Sequence, residues 1–338
     1  MKTLPTSSIR DRRSLRIAFW GLLAVLSAVL SLSLGAVSIA PSQVLQALLG
    51  QLEGTPQAQI VLFSRLPRTC GCLLAGAALA MAGVVIQSVL HNPLAAPNII
   101  GVNSGAGLMV AICCAAAPAA VWAVPFTAFA GALLGTLLVF LIAQRTGASR
   151  ITLVLSGIAI SGMFSAGIDA VVTLFPDALN GYSDFRIGGF DNLPMSRILP
   201  AVWVILPAMA AVLLLCGEMD ILSLGDETAR SLGLPVGRIR LLLLALAAAL
   251  AGGAVSFAGL LGFVGLVVPH MMRRLVGEES LPLLLGSAFG GAALVTLCDI
   301  ATRLLFAPYV LPVGIVLSLC GGGFFLWLLT RRKGDAHG

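Results

Sequence analysis

The chain has 338 residues, of which 59% are hydrophobic and only 10% charged, and its net charge is +6. Mean hydropathy is +1.04, whereas ordinary soluble domains carry about 25% charged residues. This composition excludes a soluble globular protein, and it makes the positive charge a matter of loop bias and anionic lipid headgroups, with no nucleic-acid partner implied.

A membrane-spanning helix needs about 20 apolar residues. The N-terminal stretch MKTLPTSSIRDRRSLR is basic like the start of a signal peptide. The apolar run behind it, Leu15–Gly35, exceeds the roughly 7–15-residue core of a cleaved signal and reads as a first transmembrane helix. Nine more are expected, at Arg68–Leu90, Asn98–Ala117, Pro125–Ala143, Ile151–Phe175, Ile198–Cys216, Ile239–Phe257, Gly259–Met272, Leu281–Ala301 and Leu311–Leu329. The seventh and eighth share an uncharged run from Leu241 to Met272, too long for one upright helix and short for two. Splitting it at Gly259, Gly262 and Gly265 keeps Arg273 and Arg274 on the side of the N-terminal basic cluster. Five of the 20 Lys and Arg residues (Arg65, Arg68, Arg186, Arg197 and Arg303) then fall outside, a strong positive-inside bias.

The expectation is an all-α polytopic membrane protein of about ten transmembrane helices with both termini cytoplasmic. Residues 1–14 and 331–338 form tails around a single transmembrane domain, 15–330, with a cytoplasmic segment at 220–235. AGAALAMAG at Ala75–Gly83 resembles AGGAVSFAG at Ala251–Gly259, and AFAGALLGT at Ala128–Thr136 resembles AFGGAALVT at Ala288–Thr296. These matches pair helix two with seven and four with nine, so helices two to five repeat, inverted, as seven to ten, a pattern of transporters.

The longest polar interruption of the second half is DILSLGDETARSLGLP, Asp220–Pro235. It reads as a short helix with Asp226 as N-cap, Glu227 in the first turn, Arg230 late, Gly233 after the last turn and Pro235 as a stop. About two turns of helix do not hold in water unaided. Leu222, Leu224, Ala229, Leu232 and Leu234 supply an apolar side for bracing, by a soluble partner on the cytoplasmic face.

Catalytic machinery is scarce. The only lysines are Lys2 and Lys333, so no GxxxxGK[ST] phosphate loop exists in this chain. His91, His270 and His337 lack metal-ligand spacing, and His91 and His270 read as structural residues at proline-containing helix ends. The seven cysteines fall in apolar segments and read as small buried hydrophobes. Asp169 sits near the outer end of helix five, a weak candidate for an ion-coupled secondary transporter, which wants acids at midplane. Asp299 and Arg303 have the i, i+4 spacing of a helix ion pair. Arg65 and Arg68, in RLPR, defy the positive-inside rule. They serve either as headgroup-bound side chains or as an outward patch for an acidic partner. His91–Gly107, with two prolines, reads as a broken re-entry near the cytoplasmic face. Pro176–Pro194, carrying Tyr182, Phe185, Arg186 and Phe190, reads as the outer mouth.

RLPRTCGCLLAGAALAMAGVVIQSVLHNPLAAPNIIGVNSGAGL, ILSLGDETARSLGLPVGRIR, GLLGFVGLVVPHMMRRLVG and DIATRLLFAPYVLPVGIVLSLCGGGFFLWLL together resemble the FecCD permease family of iron-siderophore, haem and vitamin B12 importers, over roughly Ser38–Leu329. The resemblance implies a bacterial inner-membrane permease that pairs with an identical or a different permease about a central path. Two cytoplasmic ATPase subunits, which bind the ATP and Mg, and a periplasmic substrate-binding protein would complete the importer. This chain itself needs no cofactor. On the same resemblance, Leu222, Leu224, Gly225, Asp226, Glu227, Ala229, Arg230, Leu232 and Gly233 contact the ATPase, and Arg65, Arg68 and Arg303 meet acidic residues of the binding protein. Asn92 and Leu94 match the cytoplasmic gate and Ser149 a second gate element, although the residue before it here is Ala148. The fifth helix lines the path. The expected cargo is an iron chelate, a siderophore before haem or vitamin B12.

Overall fold

The computed structural model describes residues 6–35, 37–52, 54–145, 150–306 and 309–334. Each of the ten expected segments overlaps a helix. In chain order these are α1 (Thr6–Ser33), two short helices α2 (Pro41–Leu48) and α3 (Pro56–Gln59), α4 (Leu66–Leu90), α5 (Val102–Ala116), α6 (Val124–Arg145), α7 (Arg150–Leu174), α8 (Ala178–Ile187) and α9 (Met195–Leu214). The remainder are α10 (Cys216–Ser223), α11 (Asp226–Ser231), α12 (Val236–Ala258), α13 (Val264–Val276), α14 (Ser280–Leu305) and α15 (Val313–Gly334). Among the described residues, seven helical runs are long and apolar enough to cross a membrane, and α5 and the Val313–Phe324 stretch of α15 are shorter apolar helices.

Three boundaries differ from expectation, each for a local reason. Helix two begins at Pro56, because the Thr55 hydroxyl caps the Ala58 amide at 3.3 Å and the chain passes through a π-helical turn, Ile60–Arg65, into α4. Helix eight begins at Val264, because Gly259 and Phe263 both take positive φ and hold 259–263 out of helix. That non-helical stretch is satisfied by protein: the Leu260 amide donates to the Phe185 carbonyl and the Gly189 amide to the Ala258 carbonyl. The loop expected at Pro176–Pro194 contains α8, whose Tyr182 and Phe185 are buried.

The centre of the bundle is α4 against α12. Their apolar windows are 78% and 72% buried, against 17% for α1 at the rim. Around this pair the two halves pack by one plan: α4 lies on α14 as α12 lies on α6, and α5 joins α6 and α7 as α13 joins α14 and α15. A Cβ on Gly76 would come within 2.2 Å of the Gly291 carbonyl oxygen, so glycine alone permits this approach of α4 to α14. At the matching place a Cβ on Gly252 would meet Ala132 at 2.9 Å. Thr136 and Thr296, which correspond in the two sequence copies, both turn back to the carbonyl four residues earlier, Ala132 at 3.0 Å and Ala292 at 2.8 Å.

Direction follows from which residues touch. Arg68 meets Asp299 and Gly76 meets Gly291, so α4 and α14 run antiparallel. The start of α4 therefore shares one end of the bundle with the close of α14. The start of α12 lies at the opposite end: its Arg240 meets Asp226, and Leu222, four residues earlier, meets His91 just past the close of α4. The two copies are thus oppositely oriented.

Candidate functional site

Polar side chains collect at the two ends of the bundle, and each end has its own construction. At the first end, Arg65 is 5% exposed. Its guanidinium donates to the Leu32 and Ser33 carbonyls at 2.8 Å each, and also to the Val37 carbonyl. These oxygens belong to the last turn of α1 and the residues after it, groups that no intrahelical amide can reach. Arg68 holds both oxygens of Asp299 from its Nε, at 2.9 and 3.0 Å, and reaches Asp191 at 2.5 Å. Asp299 is wholly buried and takes a second cation, Arg303, at 3.1 Å across one helical turn, as its spacing implies. Arg303 also donates to the Ser31 hydroxyl at 2.8 Å and the Leu34 carbonyl at 3.1 Å.

Arg65, Arg68 and Arg303, expected to meet a partner's acids, are each engaged within the chain. The oxygens at the close of α1 and the buried carboxylate of Asp299 need donors in an apolar setting, and these three side chains supply them. Arg186 is the exposed arginine of this end, and Arg197 is half-buried. Arg197 lines a cleft of about 550 Å³ together with Asp184, Asp191, Asn192 and the Cys113–Cys114 pair.

At the opposite end, residues 216–235 fold as two short helices, α10 and α11, held by three polar clamps. Asp220 accepts the Ser280 amide at 2.9 Å and so caps α14 from outside that helix. His91 bonds the Leu222 carbonyl through Nε2 at 2.7 Å. Arg240, at the start of α12, donates to both oxygens of Asp226 at 2.9 Å. Asp226 was expected to cap its own helix. Gly225, with φ of 103°, occupies the cap position, and the Asp226 carboxylate turns to Arg240.

The close of α11 follows the expected pattern. The Leu234 amide donates to the Ala229 carbonyl and the Gly233 amide to Arg230, with Gly233 at φ 84°, a glycine-terminated helix end. Burial then divides the segment. Leu222 and Ala229 are 1% and 0% exposed, whereas Leu224 and Leu232 are 60% and 61% exposed. The single apolar side read from the sequence is thus two sides: one packs on the bundle, and the other presents Leu224, Leu232, Glu227 and Arg230 outward. A further ion pair, Arg13 to Glu279 at 2.6 Å, ties the start of α1 to this end.

The gate candidates Asn92 and Leu94 lie here too, in the turn after α4. The Asn92 side-chain oxygen accepts the Leu94 amide at 2.9 Å, an Asx turn. Ser149 and Ala148 lie outside the described residues. Sequence reading gave no role to Asp220, Arg240 or Asp191, and it took His91 as only structural. The one available signal was charge in the flanks of an apolar run, which locates a residue at an end without disclosing its partner.

Compared with known proteins, the model of the FecCD transport family matches residues 22–331. The Fe(3+)-citrate import system permease of Bacillus subtilis is 35% identical, over 96% of this chain and 97% of its own. The haemin transport permease of Yersinia pestis is 34% identical, over 97% and 99%. The vitamin B12 import permease of Citrobacter koseri is 35% identical, over 96% and 97%. A solved transporter of the metal-chelate ABC type, in an inward-facing conformation, superposes with a TM-score of 0.83 at 28% identity, over 93% of this chain and 98% of that one.

Proposed function

Because the chain belongs to the FecCD transport family, we propose that it is the translocating half of an ATP-driven importer whose cargo is a ferric chelate. Membership of the family makes it a permease of a metal-chelate type ABC importer. The observation that carries the proposal is the clamped segment, whose buried side is fastened to the starts of α12 and α14 and to the end of α4. Its other side offers Leu224, Glu227, Arg230 and Leu232 to a partner.

The chain has no phosphate-binding loop, so the energy comes from elsewhere. A cytoplasmic ATPase subunit, which binds the nucleotide and its Mg, seats on this surface. Segment 223–233 moves with it, and the three clamps carry that motion to helices of the core. The arginine end then faces outward and receives cargo from a soluble binding protein. A second permease, identical or paired, completes the path, with α7 along it and the Asn92–Leu94 turn at its inner mouth. The location is the bacterial inner membrane, with both termini inside.

For the cargo, relatives of near-equal identity are named for ferric citrate, ferric hydroxamate, haemin and vitamin B12. A ferric chelate is the class most of those names share.

The test is uptake by proteoliposomes holding the permease, its ATPase and its binding protein. Radiolabelled ferric citrate, ferrichrome, haemin and cobalamin are offered with an ionophore present. Accumulation of a ferric chelate that needs internal ATP and survives loss of ion gradients is the expected result. Uptake that stops with the ionophore and ignores ATP sinks the importer reading in favour of ion coupling, and accumulation of cobalamin alone sinks the cargo.

A further inference from the structure

His91 is a conformational anomaly with a partner. It stands at the C′ position after α4, with φ 46° and ψ 38°, in the left-handed region. The Asn92 amide donates to the Gln87 carbonyl at 3.1 Å and the His91 amide to Ser88 at 3.3 Å, the bond pattern of a Schellman end. α11 closes with the same pattern and uses Gly233 there, as the steric argument prefers. Glycine would suit the backbone at 91 as well, and the described residues hold only two other non-glycine positive φ values, at Asn192 and Phe263. A side chain kept in a disfavoured region points to a use for that side chain.

Its use is visible. The imidazole Nε2 lies 2.7 Å from the Leu222 carbonyl, which already accepts the Gly225 amide at 3.1 Å at the close of α10. Leu222 is buried, and the outward surface of the segment begins two residues later at Leu224. On the other side of His91, the α4 end is braced by Gln87, whose side chain accepts Arg273 at 3.0 Å and donates to the Gly265 carbonyl at 3.4 Å. The next residue, Asn92, organises the turn with Leu94. One side chain therefore joins the base of the segment to the end of the central helix and to the turn beyond it.

We propose that His91 is a positioning residue that transmits movement of segment 223–233 to the turn after α4, through its hydrogen bond to the Leu222 carbonyl. The other two clamps grip the starts of α12 and α14. Of the three, this clamp is the one that reaches α4, beside the turn at the proposed inner mouth. The inference rests on the importer reading and adds to it a route of transmission.

The test uses the complete complex in nanodiscs, with hydrogen exchange followed in 223–233 and in the 87–100 stretch, with and without ATP–vanadate. The wild type should respond in both places. His91→Gly removes the imidazole while relaxing the backbone, so a merely structural His91 would make it benign or stabilising. His91→Phe keeps bulk without a donor, and His91→Gln restores a donor at similar reach. The expected result is a nucleotide response in 223–233 for every variant. In 87–100 the response falls about fivefold in the Gly and Phe variants, the scale of one neutral hydrogen bond, and returns in Gln. An undiminished 87–100 response in His91→Gly, or no rescue by Gln, overturns the proposal. A wild type that responds in neither stretch overturns the importer reading itself.

Discussion

The two polar ends of the bundle use arginines and aspartates in opposite ways. At the arginine end the charges are spent inward: Arg65 on the close of α1, and Arg68 and Arg303 on the buried Asp299. At the opposite end, Asp220, Asp226, Arg240 and His91 fasten only one side of segment 216–235 and leave the other exposed. A charge against the positive-inside bias is thus no sign of a docking surface by itself. A partner surface is what remains outward after the chain has satisfied its own polar groups.

The contrast breaks first at Asp299. Asp299→Ala leaves two guanidiniums without their shared carboxylate in a buried site, and loss of one partner from a buried pair costs about 3–5 kcal/mol. Unfolding by SDS titration in lipid–detergent micelles should show that loss as a lower midpoint and poor recovery. If the variant unfolds like the wild type, the arginine end is not a lock. Arg65→Met comes next. It strips donors from the Leu32 and Ser33 carbonyls and should cost about 1–3 kcal/mol per group left unsatisfied, moderated where water enters. The same variant should bind the soluble binding protein with wild-type affinity in a pull-down. A selective loss of that binding, with stability intact, would mark Arg65 as a docking residue.

Arg240→Met tests the other end. The Arg240–Asp226 clamp is buried on the arginine side and partly open on the aspartate side. Hydrogen bonds of this charged kind contribute about 1.5–3 kcal/mol, and the loss should fall on α11 while the bundle stays folded. Limited proteolysis should cut within 223–233 faster in the variant while the global unfolding midpoint barely moves. Equal cutting rates would mean that Ala229 and Leu222 alone hold the segment.

How far the sequence disclosed this arrangement depends on the range of the interaction. The apolar segments were legible because about 20 residues must satisfy their own backbone in lipid. The Asp299–Arg303 pair and the Gly233 helix end were legible because their partners are four and five residues away or fewer. α8 was hidden within a mixed loop, because its inward residues, Ala178, Tyr182 and Phe185, are too few to display a helical period. The fate of Arg68 was hidden because its acids stand 123 and 231 residues downstream. Leu222 and Ala229 were grouped with Leu224 and Leu232 on one partner-facing side for a related reason. Local spacing does not tell which apolar side chains the bundle takes, and here it takes Leu222 and Ala229 and leaves the two exposed leucines outward.

That outward pair gives the smallest expected effect on folding and the sharpest on assembly. Leu224 and Leu232 are about 60% exposed, so Leu232→Ser with Glu227→Arg removes little packing, and such surface changes usually stay within about 0.5 kcal/mol of wild type. If the exposed side is the seat of the ATPase, the double variant should still fold but lose co-purification of that subunit, because an apolar anchor and a rim charge of an interface are both gone. The binding-protein pull-down should be unaffected. A variant that keeps its ATPase would mean the exposed side of α11 is not an interface. A variant that unfolds would mean Leu232 is core after all, and the division between a locked end and an open one would then fail at the residue where it is clearest.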